Sequence, residues 1–148
     1  ALEPVRGYYD YVFIDTPATV GELLYNALQA ADGLLVPVQT DSYNIQSIYQ
    51  ITDVAATIQQ TNPALSSIGI VMTCYDGRTK HARQVREIIE KQVEEMGLPF
   101  LGVIRQAVAV QEAALFRKSL YKYARRATAA ADYMELFNKI ETALQEAE

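Results

Sequence analysis

No Gly-Lys pair occurs anywhere in the 148 residues. That absence excludes, within this stretch, the glycine-rich loop whose lysine reaches a nucleotide's phosphates. Tryptophan is missing, and cysteine and histidine occur once each, as Cys74 and His81. One thiol closes no internal disulfide and builds no thiolate metal cluster, so an intracellular protein is expected. His81 has no constellation of acids, cysteines or histidines around it and reads as a surface residue. No apolar run approaches the roughly 18 residues of a membrane-spanning helix. The opening ALEPVRG lacks the basic and apolar regions of a secretory leader and reads as the tail of a helix. Repeats, low-complexity tracts and linkers are absent as well, and the length suits a single domain over 1–148.

Half of the residues are hydrophobic, enough for a packed core. The net charge is −5, but it is unevenly spread. Residues 75–126 hold eleven Lys and Arg against six acids, a local balance of +5; the remainder holds two basic and twelve acidic residues, a balance of −10. An acidic total thus conceals a basic segment. Such asymmetry suits either a polyanion-binding surface or ordinary solvated helix faces.

Short apolar runs alternate with helical periodicities. Val12-Phe13-Ile14 reads as a first strand. Val20, Leu23, Leu24, Ala27, Leu28 and Ala31 mark one face of a helix. Leu34 to Val38 is a second strand, with Pro37 near its end, where a lost amide matters less. Ile45, Ile48, Ile51, Ala55 and Ile58 set a long helix that stops at Asn62-Pro63. Ile68 to Thr73 is a third strand, followed by the turn signal Asp76-Gly77. Ala82, Val85, Ile89, Val93 and Met96 define a helix that Gly97 caps. Phe100 to Ile104 is a fourth strand, Val108 to Leu115 a short helix, and Thr128 to Ala147 the last helix, with Met134, Phe137, Ile140 and Leu144 inward. Strands apolar on both faces and alternating with helices indicate an α/β fold with a mostly parallel sheet flanked by helices.

Ligands of such sheets bind outside the carboxyl ends of the strands. Tyr8 to Ala18, YYDYVFIDTPA, delivers Asp15 to such an end, as a Walker B segment does. Asp15 there serves either as a metal-holding acid or as the cap of a turn before Thr16-Pro17. The strand ending Thr73-Cys74-Tyr75-Asp76-Gly77-Arg78 emerges at the same edge. Thr73 is placed to touch a base, and Arg78 either projects toward a ligand or is a solvated turn residue. Cys74 reads as a small packed hydrophobe. The ten tyrosines are dispersed, and packing with a wet hydroxyl accounts for them better than base stacking.

Four segments at consistent spacing resemble the ParA/Soj family of chromosome and plasmid partitioning ATPases. They are YDYVFIDTPA, NALQAADGLLVPVQTDSYNIQSI (Asn26 to Ile48), GIVMTCYDGRTKHARQV (Gly69 to Val85), and the tail with VIRQAVAVQEA and AAADYMEL. The resemblance implies a P-loop NTPase-like fold whose N-terminal phosphate loop and its strand lie outside this stretch. It implies Mg²⁺ and ATP as cofactors, a homodimer, nonspecific DNA and a ParB-like centromere-binding protein as partners, and a cytoplasmic, nucleoid-associated location. By the same resemblance Asp15 is the catalytic and metal-holding acid, and Thr16, Pro17 and Thr73 lie beside the nucleotide. Arg78 matches a DNA-binding residue, with Lys80, Arg105, Arg117 and Lys118 as further candidates. The family's second DNA-contacting arginine is Ala109 here. MinD-like membrane ATPases end in a basic amphipathic helix, whereas FNKIETALQEAE is acidic, so no membrane partner is expected.

Two other readings stand beside this one. A truncated, nucleotide-free paralogue would act as an interaction module. A phospho-acceptor receiver domain would need an acidic pair on an earlier strand and a later Lys-Pro, and neither is present. If the strand expected between Val12–Ile14 and Leu34–Val38 is missing, those edges pair with another chain, the sheet rearranges, or the chain is poorly soluble and self-associates. The 148 residues alone are expected not to hydrolyse ATP, because backbone amides and lysine charge for the triphosphate are lacking. A phosphate-release assay checks this; turnover above background that Asp15→Ala abolishes would contradict it.

Overall fold

A computed structural model describes residues 2–5, 7–17, 19–40 and 45–146. Ala18 of the Walker B segment, residues 41–44 of the second matching segment, and Ala147 at the expected end of the last helix lie outside them. A 3-10 turn, Glu3–Val5, is followed by α1 (Glu22–Ala30), β1 (Gly33–Gln39), α2 (Ile45–Gln59), β2 (Ser66–Tyr75), α3 (Lys80–Glu95), β3 (Phe100–Arg105), α4 (Val108–Leu115), α5 (Leu120–Ala124) and α6 (Thr128–Glu146). The strands form a parallel sheet in the order β1-β2-β3. Three of the four expected strands and the expected helices are therefore present, and the short α5 is an addition.

Contacts divide the chain into two compact units: residues 1–34 with 46–67, and residues 35–45 with 68–148. In the first, Leu24 and Leu28 of α1 pack against Ala55 and Ile58 of α2 and against Leu65. The Asn62 side chain donates to the carbonyls of Leu28 and Ala31 (3.0 and 2.9 Å), satisfying acceptors that the end of α1 leaves open. Leu23 and Val20, counted on the inner face from periodicity, are exposed instead.

In the second unit β2 is buried without a break from Ile68 to Met72. Consecutive strand residues point to opposite faces, so both faces are covered. The register with β3 shifts between Ile70 and Val71, and Ile68 and Val71 both join Leu101 and Ile104 against Leu136 and Ile140 of α6. The buried stripe of α6 thus runs through Leu136 and Ile140, while Met134, expected inside, is 48% exposed. Ala82, Val85, Ile89 and Val93 form the buried face of α3, as their spacing requires.

Residues 12–14 are the clear departure from expectation. They belong to no strand, and Val12, Phe13 and Ile14 are 52, 76 and 41% exposed. The reason is physical: an apolar run becomes a strand only when a neighbour takes up its N–H and C=O groups, and none of the three strands pairs with it among the described residues. Tyr8 and Tyr9 are exposed with it, against the expectation that the tyrosines pack.

Two glycines hold the second unit's geometry for different reasons. Gly97 ends α3 at φ +68, with its N–H on the Glu94 carbonyl and the Leu98 N–H on the Val93 carbonyl. This paired arrangement favours glycine. Gly69 has φ +140, and a Cβ there would lie 2.5 Å from the Pro99 carbonyl oxygen. Gly97→Ala should therefore lose about 1 kcal/mol, and Gly69→Ala more, because backbone must move as well. Urea unfolding of the two variants checks the order.

Candidate functional site

Parallel strands place their carboxyl ends at one edge, and β2 and β3 finish side by side. The Gln106 N–H donates to the Tyr75 carbonyl (3.0 Å), joining the two exits. Beyond them lies a cleft of about 580 Å³, lined by Tyr75, Arg78, Arg105, Gln106, Gln111 and Thr128, among others. Arg86 sits over the Tyr75 ring, 5.9 Å from its centroid.

Both arginines of the cleft are held by acids. Arg78 donates from Nε and Nη2 to the two carboxylate oxygens of Asp76, each at 2.9 Å. These bonds hold the Asp76 carboxyl down at about 2. Arg105 donates from Nε and Nη2, and from its backbone N–H, to Asp132 of α6. Those contacts, the guanidinium bond foremost, lower the Asp132 pKa. With its charges paired, the cleft offers neutral amides, a hydroxyl and an aromatic ring. That chemistry suits a planar, hydrogen-bonding group better than a phosphate.

Thr73 does not line the cleft; its hydroxyl donates to the Val38 carbonyl (3.3 Å) and serves the sheet. Cys74 is exposed, not packed, because its φ of +54 turns it out of the strand. Tyr75, Gln106 and Gln111 were not singled out from sequence. Tyr75 ends β2, Gln106 follows β3 and Gln111 lies within α4, and none of these positions carries a residue preference that marks a site.

Asp15 is exposed and Thr16 half-buried, in the irregular stretch of the first unit. Among the described residues no group of three or more His, Cys, Asp or Glu gathers for a metal. A lone carboxylate fits Mg²⁺ that is held mainly by phosphates and water, and does not fit an all-protein cage.

Lys80 opens α3, exposed. Arg117 and Lys118 follow α4. Residues 117–126 contain Arg117, Lys118, Lys122, Arg125 and Arg126 and no acid. All five are exposed, and none pairs with an acid among the described residues. Arg117 stands at φ +52, where its N–H bonds the Ala114 carbonyl and the Lys118 N–H bonds Ala113. Glycine is the favoured residue at that position. Phe116 stacks on Tyr123 (5.7 Å between centroids), whose hydroxyl donates to Glu112.

The AAA domain family is matched by residues 1–67. The chain is 34% identical over 141 residues to the chromosome partitioning protein ParA of Myxococcus xanthus, covering 92% of this chain and 48% of that one. It is 34% identical over 143 residues to the chromosome-partitioning ATPase Soj of Thermus thermophilus, covering 94 and 55%. The chain spans about half the length of these relatives. Among solved structures, the septum site-determining protein MinD of Pyrococcus horikoshii, complexed with Mg-ADP, superposes with a TM-score of 0.70 at 17% identity over 99% of this chain and 56% of that one. Cobyrinic acid a,c-diamide synthase of Mycobacterium smegmatis, with bound ADP and magnesium, gives 0.65 at 32% identity over 85 and 53%. The chain shares its fold with these proteins.

Asp132→Asn is expected to lower stability by about 1 kcal/mol, since Arg105 is half exposed and its charge can rehydrate. The Asp132 pKa is lowered by folding, so its contribution is full above the ordinary value of 3.8 and is lost as pH falls through the folded value. The gap in urea midpoint between wild type and variant should therefore close below pH 4. A gap that widens on acidification would contradict the pairing.

Proposed function

From its homology to the ParA/Soj partitioning ATPases, we propose that this chain supplies the Walker B acid and the DNA-facing surface of an ATP-dependent partitioning ATPase. In this reading the phosphate loop comes from sequence outside the 148 residues. Asp15 holds Mg²⁺, directly or through water, with Thr16 and Pro17 shaping the turn beside it. The cleft after β2 and β3 receives the nucleobase, through Tyr75, Gln106, Gln111 and Thr128 in place of Thr73. Mg-ATP, when bound, supplies the phosphoryl group whose transfer the acid's charge helps to organise. The working form is a homodimer whose hydrolysis a ParB-like centromere-binding protein stimulates, in the cytoplasm and on the nucleoid.

The observation that carries the DNA part is the run of five exposed cations between Arg117 and Arg126, none paired with an acid among the described residues. Unpaired cations release counterions from a phosphate backbone, whereas cations already paired with acids contribute less. Arg105, clamped by Asp132, is thereby a weaker DNA candidate than Arg117, Lys118 or Lys80. A non-glycine residue held at positive φ is backbone strain retained at a functional position, and Arg117 fits that description.

In the full-length protein with ATP, Lys118→Ala should weaken binding to unrelated DNA sequences alike and reduce the salt slope by about 0.9. Arg117→Gly should do the same while stabilising the fold by up to about 1 kcal/mol. An unchanged slope in both variants would remove the DNA assignment of residues 117–126. Asp15→Ala should abolish hydrolysis with the fold intact, and normal turnover would refute the Walker B reading.

A further inference from the structure

The loop between β2 and α3 is built around one arginine. Arg78 has a side chain that is 91% exposed, yet its position is fixed. The Asp76 carboxylate takes three hydrogen bonds from it, two from the guanidinium and one from the backbone N–H (3.1 Å). Arg83, one turn into α3, donates from Nη1 to the carbonyls of Gly77 and Arg78 (2.7 and 3.2 Å). The Thr79 hydroxyl accepts from the Ala82 N–H and caps the helix (3.1 Å). The Gly77 and Arg78 backbone groups of the turn are thus held by the side chains of Asp76 and Arg83, and Thr79 ties the turn to the first residues of α3.

The geometry leaves the arginine usable. A guanidinium carries five N–H donors. Asp76 occupies Nε and one hydrogen of Nη2, the side-on edge. The end-on edge, Nη1 with the other Nη2 hydrogen, remains open to solvent and has the spacing of a phosphate's two oxygens. An exposed arginine otherwise sweeps many rotamers, and ordering it on binding costs free energy. Here much of that ordering is already present in the folded chain.

We propose that Asp76, with Arg83 behind it, is a positioning residue that pre-orders Arg78 for contact with a backbone phosphate of DNA. This rests on the DNA-binding reading of Arg78. Removing the negative charge of Asp76 should, by Coulomb attraction alone, tighten binding to a polyanion. Pre-ordering requires the opposite sign. The low pKa of Asp76, about 2, keeps the clamp charged at any pH at which DNA binding is measured.

The test compares Arg78→Ala, Asp76→Asn, Asp76→Ser and the Arg78→Ala/Asp76→Asn pair in the full-length protein with Mg-ATP. Binding is read by fluorescence anisotropy on a random-sequence duplex across a salt series. Serine retains a short acceptor for the Arg78 N–H and keeps the turn, while removing the guanidinium clamp. Both Asp76 variants are expected to weaken binding by about threefold to tenfold, the range for freeing one rotamer-rich side chain. In the Arg78→Ala background Asp76→Asn should no longer weaken binding. If Arg78→Ala weakens binding but both Asp76 variants tighten it, the proposal is overturned and the DNA reading survives. If Arg78→Ala changes neither affinity nor salt slope, the contact itself fails, and the proposal with it. Weakening by Asp76→Asn that persists without Arg78 would assign Asp76 a role in the turn alone and equally overturns the proposal.

Discussion

Strand β2 is covered on both faces and paired on both edges, and this enclosure sets the rest of the second unit. Five successive residues, Ile68 to Met72, are buried. Such a strand satisfies its backbone only through β1 and β3, and its side chains only through helices packed over it. Gly69 is where the enclosure is tightest, with the Pro99 carbonyl occupying the space of a Cβ. A strand so confined meets solvent at its carboxyl end, and polar chemistry collects there. The Tyr75 exit, the Asp76–Arg78 turn and the Arg105–Asp132 pair are the products of that restriction.

The same rule explains where sequence and structure part. Strands β1, β2 and β3 were legible because apolar runs of that length find partners within the described chain. The stretch Val12–Ile14 has the same composition and stays exposed. Hydrophobicity and β-propensity describe what a segment can do, while hydrogen-bonding partners decide whether it does so. On α6 the error was one of phase: Met134 and Leu136 are both compatible with a helical stripe, and only contact with Val71, Leu101 and Ile104 selects Leu136. Cys74 was misplaced because a positive φ in a non-glycine residue leaves no trace in composition.

Of the candidate site, the residue types were legible and their pairings were not. Arg78 and Arg105 look alike in the sequence, and so do Arg117 and Lys118. In the fold the first two are matched with carboxylates, one two residues away and one twenty-seven away. The other two are exposed and pair with no acid among the described residues. Spacing suggests the short-range pair, but no local pattern announces that Asp132 will meet Arg105 across β3 and α6. The pairing occupies part of both guanidinium groups, and Arg78 keeps its end-on edge free.

Under the DNA-binding reading, this partition also reconciles a net charge of −5 with attraction to a polyanion. At physiological ionic strength charges are felt over roughly 8 Å. A phosphate bound at residues 117–126 would therefore respond to these five cations and to Glu112, which Tyr123 holds, and little to carboxylates more than a screening length away. Lowering the salt extends that range and brings the acidic remainder into play, so repulsion grows beside attraction. The total charge then limits how steeply affinity can rise at low salt, while the local cations set its slope near physiological salt. The sign that matters for recognition is local, and it is set by which cations the fold leaves without an acid.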